Sequence, residues 1–248
     1  MKPRARFDIL NIFFGYGNPQ TTKILFIGIE EGGNWSPDAI HSSSPERANK
    51  KYEEVLDEIL EIYKKGYLTQ SDFYKAFPNW SKFFKITNRK QVYLSLLLQN
   101  KLWGCNNDLD NVQALRDYYL HEFCSRIEFQ ANIFPIANDT VETWKGDYKN
   151  IFDAPAQKED YYSSCIQARV IVLSKLIEEI KRKNDSPYIF VMGKSTIWEH
   201  KKRWEIIKST IFRDIDFEPV ETGSRNNRIA CSKDKKIGLS LIQVVVSV

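Results

Sequence analysis

The chain has 248 residues, of which 42% are hydrophobic and 27% charged, with a net charge of +4. That supply of apolar side chains can build a core without disulfides or metal, which excludes a mini-protein. Mean hydropathy is −0.44, and no segment approaches the roughly 20 uninterrupted apolar residues of a membrane-spanning helix, so a soluble protein with no membrane partner is expected.

Asp8 and Asn11 interrupt the apolar stretch after the basic N-terminus, and no small-residue cleavage site follows, so no secretory leader is expected. Cys105, Cys124, Cys165 and Cys231 are scattered, without a CxxC pair or a histidine at ligand spacing. Neither a zinc site nor a disulfide framework is indicated, and a reducing cytoplasm is the expected location. The charge is unevenly spread. Residues 181–248 hold 14 Lys and Arg against 8 Asp and Glu, which leaves residues 1–180 slightly acidic. This asymmetry suits one-sided contact with a polyanion, although solvated helix faces produce the same pattern.

In chain order, Lys23–Gly28 is a continuous apolar run ending in glycine, the pattern of a strand buried on both faces. Residues 30–37 then read as a turn-rich loop, and 41–45 as a polar, mobile segment. From Pro45 to about Lys65, Val55, Leu56, Ile59 and Leu60 recur at helical spacing among acidic residues, predicting an amphipathic helix. Residues 93–98 and 111–123 repeat the period. Ile127–Ile136 predicts a second strand stopped at Pro135, and Glu159–Lys183 a long helix ending in Lys-Arg-Lys, as the helix dipole favours. Tyr188–Gly193 predicts a third buried strand, followed by a helix over about 196–212. Short extended runs at 217–220, 228–231 and from 237 onward follow, with Val244–Val246 as a fourth buried strand.

Strands alternating with long helices predict an α/β fold, a three-layer α/β/α sandwich around a mainly parallel four-stranded sheet. With no linker or repeat in view, residues 1–248 are expected to form a single domain with a helical insertion at about 45–123. In such sheets ligands bind beyond the carboxyl ends of the strands, which directs attention to Gly28–Gly32, Asn132–Pro135 and Gly193–Thr196.

Gly28-Ile29-Glu30-Glu31-Gly32 resembles the first motif of the uracil-DNA glycosylase superfamily, a strand followed by Gly-x-acid/amide-Pro-Gly. Asn132 in Ala131-Asn132-Ile133-Phe134-Pro135 resembles that family's second-strand asparagine, and Phe190-Val191-Met192-Gly193-Lys194 its third strand with terminal glycine. The resemblance implies a monofunctional DNA glycosylase of the family's fold that needs neither metal nor organic cofactor, with Glu30 activating water and Asn132 bonding the flipped base. Glu31 stands where the family has proline and is a second candidate for the water. The family's last motif, a His- or Asn-Pro-Ser segment, is not among these residues.

The chemistry suits those residue types independently. Cleaving an N-glycosidic bond develops oxocarbenium character, which a carboxylate stabilises while taking a proton from water. A carboxamide offers a coplanar donor and acceptor to a pyrimidine edge, and an extruded base needs an aromatic platform, for which Phe134 and Trp35 are candidates. Strand-end capping by Asn132 and plain core packing by Phe134 are the competing readings. In the uracil-specific branch of the family a tyrosine blocks the base's C5 position; Gly32 here leaves that position open, so C5-modified pyrimidines, including the hypermodified cytosines of phage genomes, are not excluded. DNA repair or defence against modified phage DNA would follow.

Lys194, Lys201, Lys202, Arg203, Arg225 and Arg228 are the expected contacts to the DNA backbone, single- or double-stranded, and a monomer is expected. Two rival readings remain. One is a non-catalytic DNA- or nucleotide-binding protein of the same fold. The other is a different α/β enzyme using Gly193-Lys194-Ser195-Thr196 as an anion-binding helix start, although Pro187 occupies the place of the upstream P-loop glycine.

Overall fold

The computed structural model describes residues 1–32, 35–77, 86–138, 144–184, 187–192, 203–220, 229–233 and 236–240; the side chains at 30–32, 74–76, 86–88, 137–138, 204, 219–220, 229–230 and 237–240 lie outside that description. The elements are α1 (Pro3–Ile12), β1 (Gly15–Gly17), β2 (Ile24–Gly32), α2 (Pro37–Ser42), α3 (Tyr52–Tyr63), β3 (Tyr67–Leu68), α4 (Gln70–Ala76), α5 (Ile86–Trp103) and α6 (Val112–His121). They continue with β4 (Glu128–Asn138), α7 (Tyr148–Phe152), α8 (Lys158–Lys183), β5 (Tyr188–Met192), α9 (Arg203–Ile211), β6 (Phe217–Val220), β7 (Ile229–Ser232) and β8 (Ile237–Ser240).

All eight strands join one sheet in the order β3-β1-β4-β2-β5-β8-β7-β6. The central four, β4-β2-β5-β8, are mutually parallel, so the mixed α/β class and mainly parallel sheet hold. The expected count of four is corrected to eight. The extra strands are short: β1 runs antiparallel to β4 and parallel to β3, and β6 and β7 form an antiparallel ribbon on β8. The fourth parallel strand lies at 237–240, while 244–246 fall outside the described residues.

Alternation along β2 sends its side chains into two cores. Leu25, Ile27 and Ile29 join Phe129, Ala131 and Ile133 of β4 in a large cluster with Leu10 of α1, Leu56 and Ile59 of α3, Leu173 and Ile177 of α8 and Ile207 of α9. Ile24 and Phe26 join Val92 and Leu96 of α5, Leu115 of α6 and Phe123 in a smaller one. Segment 45–123 is therefore not appended to the sheet, because α3 is built into the large core and α5 and α6 cover the small one.

Local chemistry explains several departures from expectation. α1 was not foreseen; Pro3 starts it and Phe7, Ile9 and Leu10 bury one side, while the nearly buried Arg6 reaches Asp57 of α3 at 2.7 Å. The segment expected to be a mobile loop contains α2, whose Ser36 cap accepts from the Ala39 amide. β1 lies tightly on β4: a Cβ on Gly15 would collide with the carbonyl of Gln130, and Gly15 and Gly17 adopt φ of +144° and +130°, which only glycine tolerates readily.

Candidate functional site

The order β4-β2-β5-β8 is second-first-third-fourth among the parallel strands. In that arrangement the chain leaves β2 in one direction and β5 in the other, so the crevice beyond their carboxyl ends is the expected ligand position. β2 runs through the first motif instead of ending at Gly28: Gly28 pairs in register with Asn132, and Glu30 with Phe134. The register then slips, with Gly32 opposite Asn138. Pro135, which lacks an N–H for the ladder, falls inside that irregular stretch and interrupts β4 without ending it.

Two residues far apart in sequence thus become neighbours. Asn132 is 6% exposed, and a Cβ on Gly28 would stand 2.6 Å from its Oδ1. The carboxamide therefore lies across the glycine, a place that any side chain at 28 would contest. From behind, β4 is held by Arg169 of α8, 1% exposed. Its Nη2 donates to the Asn132 carbonyl at 2.7 Å and its Nε to that of Ile133 at 3.0 Å, while Nη1 donates to the carbonyls of Asn11 and Phe13 at 2.6 and 2.8 Å. β1 pairs with β4 only as far as Ala131; beyond it the guanidinium takes over as donor and ties this stretch to the end of α1.

The aromatic candidates are placed differently from expectation. Phe134 is fully buried, with the Tyr162 ring 4.0 Å away and Tyr161 at 5.9 Å. Trp35 packs edge-on against Tyr63 and Phe152, is 3% exposed, and its indole nitrogen has no acceptor. Neither presents an open face for stacking, because the first turn of α8 and the α3 side of the core close over them.

Arg203 is also corrected. It is 3% exposed at the start of α9, pairs with Glu159 and sits over the Tyr162 ring at 4.7 Å, so it ties α9 to α8 instead of facing a phosphate backbone. Glu30, Glu31 and Gly32 have their backbone in β2, but the two carboxylates fall outside the described side chains. Lys194, Lys201, Lys202, Arg225 and Arg228, together with the Gly193–Thr196 segment, lie outside the described residues.

Sequence reasoning missed a buried polar seam between α5 and β4. Glu128, 1% exposed, accepts from the hydroxyls of Ser95 and, at 2.7 Å, Tyr118 of α6, with Gln99 Nε2 at 3.4 Å. Its Oε2 has no partner. Burial raises the Glu128 carboxyl above its ordinary range, and these donors only partly counter the effect. One turn earlier on α5, Gln91 is 2% exposed and its Oε1 is also without a partner. The visible signal was the polar spacing 91, 95, 99 inside an otherwise apolar helix. Among the described residues no group of acidic, histidine or cysteine side chains could hold a metal ion, and no helix is long and apolar enough to cross a membrane. Compared with family models, with curated proteins and with solved structures, the chain finds no match in any of the three.

Proposed function

We propose that the protein is a DNA glycosylase of the uracil-DNA glycosylase type, a three-layer α/β/α sandwich that draws an extruded pyrimidine to the carboxyl edge of β2 and β4 and hydrolyses its glycosidic bond. The observation that carries this reading is the juxtaposition of Gly28 and Asn132, which sets a fixed carboxamide beside the acidic segment Glu30–Glu31 of the first motif. A pinned amide reads a base edge without losing rotamer freedom on binding. A carboxylate from the same strand supplies the proton acceptor that the attacking water requires. DNA repair and defence against modified phage DNA are the two settings in which such an activity would serve.

The test is to incubate the protein with DNAs carrying uracil, thymine mispairs or modified cytosines and to reveal abasic sites with alkali. Release from at least one of them, lost on Asn132→Ala, is the expected result. Specific DNA binding without abasic sites on any substrate would favour the non-catalytic alternative instead.

A further inference from the structure

The polar row on α5 runs antiparallel to β4. Lys23, just before β2, lies with its ammonium 5.1 Å from the centre of the Trp103 ring, so the C-terminal end of α5 is at the amino edge of the sheet and its first turns approach the carboxyl edge. Ser95 and Gln99 meet Glu128, which fixes the starting register. A four-residue step on a helix advances about 6 Å, and a two-residue step on a strand about 6.6 Å. The row 99, 95, 91 therefore keeps pace with the α5-facing positions 128, 130 and 132 of β4, and carries Gln91 over Gln130, toward Asn132.

A buried carboxamide oxygen without a donor is costly, about 1–3 kcal/mol, and calls for an N–H from elsewhere. We propose that Gln91 is a second reading residue for the ligand at Gly28–Asn132, and that the group it accepts from is an exocyclic amine, as on cytosine and its C5-modified forms. This rests on the glycosylase reading and narrows its substrate. Two carboxamide oxygens, those of Asn132 and Gln91, require two N–H donors on one edge. The 4-amino group of a cytosine carries both, whereas the corresponding edge of uracil or thymine offers a single N3–H beside a carbonyl.

The experiment compares wild type with Gln91→Met, which keeps length and apolar bulk but removes the acceptor, with thermal melting to verify folding. Substrates are matched oligonucleotides carrying cytosine, 5-methylcytosine, 5-hydroxymethylcytosine, uracil or thymine. At least a 10-fold faster release of one cytosine form than of uracil, reduced to less than 3-fold in Gln91→Met, is expected. Preference for uracil or thymine, or a ratio unchanged by the substitution, overturns the inference while leaving the glycosylase reading intact. If no DNA yields abasic sites, that reading fails, and binding of cytidine against uridine by calorimetry decides the inference separately: preference for cytidine that Gln91→Met abolishes sustains it, and equal or absent binding overturns it. Should Gln91→Met not fold, Gln91→Glu, which retains an acceptor, must keep the cytosine preference.

Discussion

Replacing Arg169 with methionine removes the buried cation that holds β4 where Asn132 sits. Four carbonyl oxygens, those of Asn11, Phe13, Asn132 and Ile133, lose their guanidinium donor. A hydrogen bond to a charged group is worth about 1.5–3 kcal/mol net, so four nominally sum to about 6–12 kcal/mol. Against this, the variant no longer buries a charge, which relieves several kcal/mol. The expected loss is about 3–5 kcal/mol, or about 6–20 °C in melting temperature for a chain of this size. Arg169→Lys should lie between, since one ammonium keeps the charge but cannot span the fork's reach to both α1 and β4. Urea unfolding and thermal melting of the three proteins provide the measurement. A methionine variant melting within about 2 °C of wild type would refute the idea that the guanidinium stands in for the strand partner that β4 lacks beyond Ala131.

Gly28→Ala should reduce base release at least 10-fold with a modest loss of stability, about 1–3 kcal/mol, because the new methyl must displace the Asn132 carboxamide; an unaltered rate would show that the amide's position does not matter. Glu30→Gln should lower release on the order of 100-fold while leaving DNA binding nearly intact, with Glu31→Gln as the control; if only the latter abolishes release, Glu31 is the acceptor. For Glu128 the raised carboxyl means that the folded state holds its proton to higher pH than the unfolded chain, so stability contributed at acid pH is lost as pH rises from about 4.3 through the folded value. Glu128→Gln should abolish that decline between pH 5 and pH 8 in urea unfolding, and an equal decline in the variant would show that the carboxyl is not its source.

The strands were legible where their composition was one-sided. Lys23–Gly28 and Tyr188–Met192 read as buried because nearly every residue is apolar, and both lie in the parallel centre of the sheet. α1 escaped notice because Arg4, Arg6, Asp8 and Asn11 dilute its apolar stripe, and only the tertiary ion pair between Arg6 and Asp57 makes a buried arginine tolerable there. β1 and β3 are too short to carry a period. The groups that shape the site were less legible still. Arg169 falls in the middle of a long helix, where an arginine ordinarily meets water, and its partners are backbone carbonyls that no side-chain pattern reveals. Gln91, Ser95 and Gln99 have the spacing of a solvent face but turn toward the sheet, because Glu128 on β4 gives them something polar to meet. Phe134 and Trp35 were assigned by residue type; which aromatic face stays open depends on what α3 and α8 lay over it.

The two cores are unequal in size and in kind. Helices α1, α3, α8 and α9 grip the sheet through an extensive apolar cluster, while α5 and α6 rest on a few aliphatic and aromatic side chains and a polar seam with two orphaned oxygens. Local opening follows the weaker attachment, so the α5–α6 pair forms the less stable cooperative unit and its amides exchange hydrogen ahead of those of α8. Asn132 and Gln91 stand on opposite banks of that seam. A molecule captured between them would fasten the loosest part of the protein to its firmest, and its arrival would be recorded as slowed exchange along α5, whatever happened to its chemical bonds.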